Sequence, residues 1–372
     1  MMYGHGGNVA LASRLYGLGP DAFLDFSANV NPFGPSELAI KAVVGDLDKI
    51  SRYPDPACTK VRRALGEYLE LEPRNILAGN GANELIHLVV RLLKPKTALI
   101  VEPTFSEYAR AVKTEGGSIE WFPVHSGRGF LPDIHGITQR LPGMDMLFLC
   151  NPNNPSGSVL FRDELIGVLD SAGNMGTTVV IDEAFVDFLQ EENKVTLRWE
   201  APVRTNLLVL GSLTKFFALP GLRLGYVVGH ESLIQRFCEI RDPWSVNCLA
   251  QAAAIASMKD KEYIRKTKEW IWTEMPFMSE SLSKIPGVRV YPPSANYILT
   301  DLRGTGFTAA RLQEQLGPKG ILIRDCSNFL FLDEYYARFA IRARDENTTL
   351  LATLEDVFVS EASGNAGKRC LQ

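Results

Sequence analysis

The stretch GSLTKFFALPGLRLGY, residues 211–226, places Lys215 where one apolar run gives way to another. Many lysines beside aromatic residues simply bury their stem and keep the ammonium group in water. Two other interpretations give this lysine a chemical role. One is the S-x-x-K lysine of a serine acyl-enzyme. The other is a Schiff-base lysine, a type whose amine attacks an aldehyde and is activated by desolvation or by cationic neighbours.

The composition is typical of a globular protein with small polar partners. With 372 residues, of which 46% are hydrophobic, the chain can bury a large core. The net charge of -4 comes from interspersed acids and bases, which favours neither a nucleic-acid surface nor a membrane surface. Six cysteines without C-x-x-C spacing and no apolar run of roughly 20 residues predict a cytoplasmic protein with reduced thiols. Five isolated histidines predict no metal site.

Short apolar runs rich in β-formers alternate with helical patterns in the middle of the chain. The predicted strands lie in segments 97–103, 144–152, 177–184, 206–212 and 223–229. This alternation predicts an α/β fold with a mostly parallel sheet covered by helices. After about Asp242 the pattern changes to that of a smaller α+β domain. We therefore expect a large domain (36–245) and a small domain (246–372) with a frayed tail from about 362, preceded by an N-terminal arm (1–35).

Polar residues gather where the predicted strands end, which is where open parallel sheets bind ligands. GNGANE (79–84) opens a helix with small residues, whose backbone N–H groups suit a phosphate. NPNNPSG (151–157) follows a strand and can present the amide of Asn154 to a ligand oxygen. Asp182, after the apolar run VVI, needs a cation or a protonated nitrogen because an unpaired buried carboxylate is costly.

Taken in order, RYPD, GNGANE, NPNNPSG, DEAF, SLTK with Arg223, and AIR resemble fold-type I pyridoxal-phosphate (PLP) enzymes. The similarity runs over nearly the whole chain and is to the aspartate aminotransferase superfamily, histidinol-phosphate aminotransferase branch. It implies that Lys215 is the Schiff-base lysine and that Asp182 pairs with the protonated pyridine nitrogen, so the ring can act as an electron sink. The serine acyl-enzyme interpretation then loses its support.

The resemblance also implies the remaining cofactor contacts and a homodimer with shared sites. In that dimer, the tyrosine of RYPD reaches the phosphate of the neighbouring subunit's cofactor. The implied residues are Asn154 at the ring 3-oxygen, Tyr108 stacked on the ring, Ser212, Arg223 and the backbone of Ala82 and Asn83 at the phosphate, and Tyr53 from the partner subunit.

Two departures from the aminotransferase pattern bear on the reaction. Phe185 replaces the tyrosine that usually donates to the ring oxygen. In addition, HGGN (5–8), FLDFSANVNPFG (23–34), DPWSVN and GILIRDCSNF closely resemble L-threonine-O-3-phosphate decarboxylases of adenosylcobalamin biosynthesis. The reaction implied is decarboxylation to (R)-1-amino-2-propanol O-2-phosphate. Histidinol-phosphate aminotransferase is the alternative, and a non-catalytic PLP-fold binding or regulatory protein is a second one.

A phosphorylated amino acid needs its own anion-binding residues, distinct from those of the cofactor. By resemblance, Arg342 grips the α-carboxylate through two hydrogen bonds and Arg324 holds the substrate phosphate. The other expected substrate contacts are His5, Gly6, Asn29 and Asn154. The glycines of HGGN are expected to give the arm the freedom to fold over the site.

Overall fold

The structure, a computed structural model, describes the backbone of residues 6–369 and the side chains of residues 6–360. Contacts divide the chain into two compact units. The larger unit comprises Val30–Asn154 and Ser158–Trp270, and the smaller unit comprises the described parts of Met1–Asn29, Pro155–Gly157 and Ile271–Gln372.

The strands and helices of the described chain have the following bounds. The strands are β1 Leu24–Asp25, β2 Ile76–Gly79, β3 Thr97–Glu102, β4 Ser118–Pro123, β5 Met146–Cys150, β6 Thr178–Asp182, β7 Leu207–Ser212, β8 Gly225–Gly229, β9 Arg289–Val290, β10 Tyr297–Asp301, β11 Ile321–Leu322, β12 Arg324–Asp325 and β13 Tyr336–Ala340. The helices are α1 Val9–Tyr16, α2 Glu37–Gly45, α3 Thr59–Leu69, α4 Gly81–Leu93, α5 Glu107–Thr114, α6 Ile134–Arg140, α7 Arg162–Met175, α8 Leu213–Phe216, α9 Glu231–Ile240, α10 Cys248–Lys259, α11 Lys261–Ser283, α12 Ala309–Leu316 and α13 Arg344–Arg369.

The larger unit is built on a seven-stranded sheet in the order β2-β8-β7-β6-β5-β3-β4. The pairings among β7, β6, β5, β3 and β4 are parallel, and β8 runs antiparallel to both of its neighbours. Because the central strands are buried on both faces, their sequences are continuous apolar runs such as LLVL and MLFL. The prediction of an α/β fold with a mostly parallel sheet is confirmed.

The smaller unit contains a four-stranded antiparallel sheet in the order β12-β13-β10-β9 and a separate parallel pair, β1 with β11. The chain segment that enters from the N-terminus joins this unit through backbone hydrogen bonds. Leu24 N donates to Gly320 O at 2.8 Å, and Phe26 N donates to Leu322 O at 2.8 Å. Phe26 is fully buried, so the segment is a structural part of this unit.

The two units differ from the expected domains in two ways. Residues up to Asn29 belong to the smaller unit, because β1 pairs with β11. The other boundary falls at residue 270 within α11, 25 residues beyond the expected 245, and α10 belongs to the larger unit together with α2 and α3. In addition, the backbone of α13 is helical up to Arg369, past the point where a frayed tail was expected.

None of the described helices is both long enough and apolar enough to cross a membrane. The cysteines of the described chain, Cys58, Cys150, Cys238, Cys248 and Cys326, form no disulfide with one another.

Candidate active site

A buried carboxylate lies at the end of the central strand β6. Asp182 is 5% exposed, and its Oδ2 accepts a 2.7 Å hydrogen bond from the hydroxyl of Tyr108. Its Oδ1 accepts from the backbone N–H of Ala184 at 3.0 Å. Burial raises the pKa of Asp182, and the bonds from Tyr108 and Ala184 oppose that rise. The two donors therefore help to keep an acid ionised in a place where water cannot.

The structure corrects the role expected for Tyr108. Its ring is 0% exposed and stacks on Phe148, with centroids 5.1 Å apart and an interplanar angle of 10°. A ring that is already covered has no face left for a cofactor, so Tyr108 supports Asp182 instead. Phe105, three residues earlier, is partly buried and meets Tyr108 edge-on. Phe105 is the better candidate for the aromatic ring over a cofactor.

Lys215 lies in α8, the short helix that follows β7. Ser212 caps this helix, since its hydroxyl accepts from Thr214 N at 3.2 Å. The carbonyl of Lys215 accepts from Asn31 N at 3.1 Å. The buried side-chain amide of Asn31 lies 2.9 Å from Phe216 O, 2.8 Å from Thr267 Oγ1 and 3.0 Å from the Tyr263 hydroxyl. The backbone that carries the lysine is thus fixed from both sides by hydrogen bonds.

The start of α4 forms a cradle for an anion. Gly81 has a φ of +81°, and a Cβ built there would lie 2.7 Å from Arg223 Nη2. A Cβ at Gly225 would lie 2.4 Å from the backbone nitrogen of Ala82. The backbone of the helix start therefore leaves no room for a side chain at residue 225, the positive φ of Gly81 disfavours other residues there, and Arg223 lies close to this helix start. First-turn N–H groups, such as those of Ala82 and Asn83, have no partner within a helix, and they suit a phosphate.

Ser212 belongs to the same edge of the sheet as this cradle. Ser212 pairs in register with Gly225, and Gly225 pairs with Gly79. Arg223 itself adopts a φ of +63°, a conformation that costs energy for a residue with a side chain. The predicted phosphate contacts of the larger unit, namely Ala82, Asn83, Ser212 and Arg223, are thus brought together.

Residues 151–154, which follow β5, are held rigidly beside β6. Asn151 N donates to Asp182 O at 2.8 Å, and the side chain of Asn151 exchanges two hydrogen bonds with the backbone of Leu160. Asn153 bonds to Pro103 O and accepts from Thr104. Asn154 follows directly and is partly buried. Its position at the end of β5, next to the strand that ends in Asp182, fits the predicted contact with a ring oxygen.

Glu102 and Cys150 are two further ionisable groups at this edge. Burial raises the pKa of Glu102 to about 7, and the hydrogen bond from Thr104 N, 2.6 Å long, opposes the rise. Burial, followed by the charge of Asp182, raises the pKa of the Cys150 thiol to about 12. Phe185 is 5% exposed and has no hydroxyl to offer a ligand. Neither Cys150 nor Phe185 can add negative charge or a strong donor next to Asp182.

The smaller unit carries a pair of buried arginines that sequence reasoning only half found. Arg324 on β12 and Arg338 on β13 are register partners and are 6% and 5% exposed. Directly opposite residues of an antiparallel pair project to the same face. Burial lowers the pKa of Arg324, and burial together with the charge of Arg324 lowers that of Arg338 to about 10. Two buried guanidinium groups on one face of the sheet provide positive charge that suits an anion.

Arg342, expected to grip a carboxylate, has a different setting. Its Nη2 lies 2.6 Å from Glu346 Oε1, and its Nη1 donates to Asp25 O at 3.3 Å. A guanidinium already paired with a carboxylate is a poor candidate for a substrate's carboxylate, so we reassign this role to Arg338. The signal that could have found Arg338 is the one used for Asp182, namely a charge within an apolar strand, here YARFA.

The remaining predicted residues have varied settings. His5 lies outside the described residues. Gly6 lies against Ser27, and Asn29 is buried with an Oδ1 that has no hydrogen-bond partner among the described residues. Tyr53, in the larger unit, is 79% exposed and stacks on Trp244 with ring centroids 4.5 Å apart.

Residues 21–355 match the family described as aminotransferase class I and II. The chain is 37% identical to the threonine-phosphate decarboxylase of Salmonella typhimurium, over 96% of this chain and 97% of that protein. It is 31% identical to the structure of the histidinol-phosphate aminotransferase from Clostridium acetobutylicum, with a TM-score of 0.84 and coverage of 90% and 99%. For L-threonine-O-3-phosphate decarboxylase from Porphyromonas gingivalis the identity is 29% and the TM-score 0.78, with coverage of 89% and 98%.

The raised pKa of Glu102 generates a prediction about stability and pH. A carboxyl group whose pKa rises on folding stabilises the fold below its unfolded pKa and loses that contribution as the pH approaches its folded pKa. Glu102→Gln keeps an acceptor for Thr104 N but cannot ionise. As the pH rises from about 5 to about 8, the wild type loses this contribution and the variant does not. The unfolding free energy of the variant minus that of the wild type should therefore increase by up to about 3 kcal/mol.

Urea unfolding at both pH values measures this difference, with the exposed Glu115→Gln as the matched control. A Glu102→Gln effect that is the same at both pH values would show that Glu102 keeps an ordinary pKa.

Proposed function

The chain belongs to the aminotransferase class I and II family, and on that premise we propose that it decarboxylates L-threonine O-3-phosphate to (R)-1-amino-2-propanol O-2-phosphate, with PLP as its cofactor. The observation that carries the proposal is the buried pair Arg324 and Arg338, because a substrate with both a carboxylate and a phosphate needs two cationic partners. The 37% identity to the Salmonella decarboxylase over nearly the whole chain supports it. This reaction would place the enzyme in corrinoid biosynthesis.

The residues of the larger unit fit PLP. The amine of Lys215 would hold it covalently, and Asp182 would keep a proton on its ring nitrogen. Phe105 would cover the ring, Asn154 would donate to the ring oxygen, and the cradle at the start of α4 would bind the phosphate with Arg223 and Ser212. When bound, PLP supplies an electron-withdrawing ring that stabilises the carbanion left by a broken bond at the substrate's α-carbon.

The chain's own residues divide the remaining work. Arg338 would orient the α-carboxylate by a two-point contact, which a lysine cannot reproduce. Arg324 would hold the phosphate, with Asn29, Gly6 and His5 as the expected helpers. After loss of carbon dioxide, the amine of Lys215 would deliver a proton to the α-carbon. Tyr108 acts through Asp182, because its hydroxyl stabilises the ionised carboxylate.

Histidinol-phosphate aminotransferase is the competing function. The structure from Clostridium acetobutylicum favours it, because its TM-score of 0.84 exceeds the 0.78 of the Porphyromonas decarboxylase. Phe185 favours decarboxylation, since a phenyl ring leaves the ring oxygen without the hydroxyl donor that the resemblance gives to aminotransferases. The two reactions differ in their products, so an assay separates them.

We further propose that the enzyme is a cytoplasmic homodimer in which Tyr53 reaches the cofactor of the partner subunit. Segment 37–53 and its neighbour Trp244 expose an unusual number of large apolar side chains. These are Leu38, Ile40, Val44, Leu47, Ile50, Tyr53 and Trp244. Large apolar side chains exposed together in this way are typical of an interaction site. A second copy of the chain is the occupant that the proposed position of Tyr53 requires.

The first test is a product assay. The purified protein with PLP should release one equivalent of carbon dioxide from L-threonine O-3-phosphate, and Lys215→Ala should lose turnover because the amine is gone. Borohydride should attach the cofactor permanently to the wild type but not to Lys215→Ala, as seen by protein mass. Amino transfer from histidinol phosphate without carbon dioxide release would establish the competing function.

The second test compares two arginines four residues apart. Arg338→Gln should lower kcat/KM for threonine phosphate by about 10-fold to 150-fold, because a hydrogen bond to a charged group contributes about 1.5 to 3 kcal/mol. Arg342→Gln should change it by less than about threefold, since Arg342 is paired with Glu346. A larger loss in Arg342→Gln than in Arg338→Gln would restore the role first predicted for Arg342.

The third test addresses the homodimer. Light scattering of the wild type should give twice the chain mass of 41.2 kDa. Charges placed in the apolar segment by Leu47→Asp with Ile50→Asp should shift the mass toward the monomer, because burying an unpaired charge is costly. The control is Leu15→Asp, at an exposed leucine of α1. A dimer that survives the double substitution unchanged must use another surface.

A further inference from the structure

Ser27, which follows β1, lies between two parts of the smaller unit. On one side is Arg338, and on the other are residues 6–8, the part of the expected arm 1–35 that contacts Ser27. Ser27 is 7% exposed, so its contacts are protein contacts. Both its backbone carbonyl and its hydroxyl are used, each toward a different side.

The carbonyl of Ser27 faces the arginine. Arg338 Nη2 donates to Ser27 O at 2.9 Å. The preceding residue is fixed by two strands, since Phe26 N donates to Leu322 O and Phe26 O accepts from Ala340 N, both at 2.8 Å. A carbonyl placed on such a rigid backbone can orient the plane of a guanidinium.

The hydroxyl of Ser27 faces the arm. Gly7 N donates to Ser27 Oγ at 2.8 Å, and Ser27 Oγ lies 2.5 Å from Asp25 Oδ1. The same carboxylate oxygen accepts from Ser27 N at 2.8 Å. The hydroxyl therefore accepts from the arm and donates to Asp25, which uses its single proton.

The two glycines of the arm are explained by these contacts. A Cβ at Gly6 would lie 2.1 Å from Ser27 O and 2.7 Å from its carbonyl carbon. Gly7 has a φ of +86°, a conformation that other residues adopt only at a cost. A side chain at residue 6 must displace either the arm or the very carbonyl that accepts from Arg338. The close approach of residue 6 to the Ser27 carbonyl therefore explains this glycine, in addition to the freedom of movement that the sequence led us to expect.

We propose that Ser27 is a positioning residue for Arg338 and that the docked arm, through Gly6 and Gly7, holds Ser27 in the orientation that Arg338 requires. The arm then contributes to substrate affinity through the protein, separately from any direct contact that it makes with the substrate. That Arg338 binds the substrate's carboxylate rests on the proposed function; the coupling of Arg338 to the arm rests on the hydrogen bonds alone.

Gly6→Ala tests the coupling in the holoenzyme. It should raise KM for threonine phosphate by about tenfold or more, because a misplaced guanidinium loses a charged hydrogen bond. Gly19→Ala is the matched control, since a Cβ there meets nothing within 4 Å and its φ of -63° suits alanine. Equal KM values for Gly6→Ala and Gly19→Ala would overturn the proposal.

Hydrogen exchange provides a readout that needs neither substrate nor turnover. In the full-length protein, the amide of Gly7 should exchange faster in Ser27→Ala, and also in Arg338→Gln, in which the Ser27 carbonyl loses its donor. Ser13→Ala is the control, because the Ser13 hydroxyl has no hydrogen-bond partner among the described residues. Unchanged Gly7 exchange in Arg338→Gln would overturn the coupling.

The two readouts separate the coupling from the proposed function. If the wild type releases no carbon dioxide but Arg338→Gln still accelerates Gly7 exchange, the decarboxylase function fails and the coupling stands. If the wild type decarboxylates threonine phosphate but exchange and KM do not respond, the coupling fails and the function stands.

Discussion

The hydrogen bond from Tyr108 to Asp182 is the interaction on which the rest of the site depends. A carboxylate that is 5% exposed would be driven to protonate by its surroundings. The Tyr108 hydroxyl at 2.7 Å and the Ala184 amide at 3.0 Å compensate for that burial. With them, the end of β6 offers a fixed negative charge to a cationic ligand atom.

The sheet places further polar and ionisable side chains at the same edge as the Asp182 carboxylate. Cys150 and Asp182 are register partners on β5 and β6, and β7 ends one strand further on at Ser212, just before Lys215. The glycines of α4 and β8 then allow Arg223 to approach a helix start. Asp182 ends β6, β7 and its connection to β8 carry Ser212, Lys215 and Arg223, and α4 follows β2, so the geometry depends on the order of these strands in the sheet. In the smaller unit, two neighbouring strands bring positive charges together in the same way, because Arg324 and Arg338 are register partners.

The fold could be predicted from the sequence because its signals are local. An apolar run that ends in a charge predicts a buried strand with a functional end, and this signal singled out Asp182 and Lys215, while the family resemblance implied their roles. The misplacements arose where two similar residues lie a few positions apart. Phe105 precedes α5 while Tyr108 lies in its first turn, and only the helix start decides which ring is buried. Arg338 lies inside β13 while Arg342 lies beyond its end. The N-terminal boundary was missed because β1 pairs with β11, nearly 300 residues away in the sequence.

Nitrogen-15 NMR of the protein loaded with PLP labelled at the ring nitrogen tests whether Asp182 keeps that atom protonated. We expect a pyridinium chemical shift in the wild type that persists at about pH 8, well above the pH at which the free ring nitrogen loses its proton, because the ionised carboxylate stabilises the cation. In Asp182→Asn the signal should move to the position of a neutral pyridine. A neutral pyridine signal in the wild type, or a pyridinium signal that survives in Asp182→Asn, would show that Asp182 does not hold a protonated ring nitrogen.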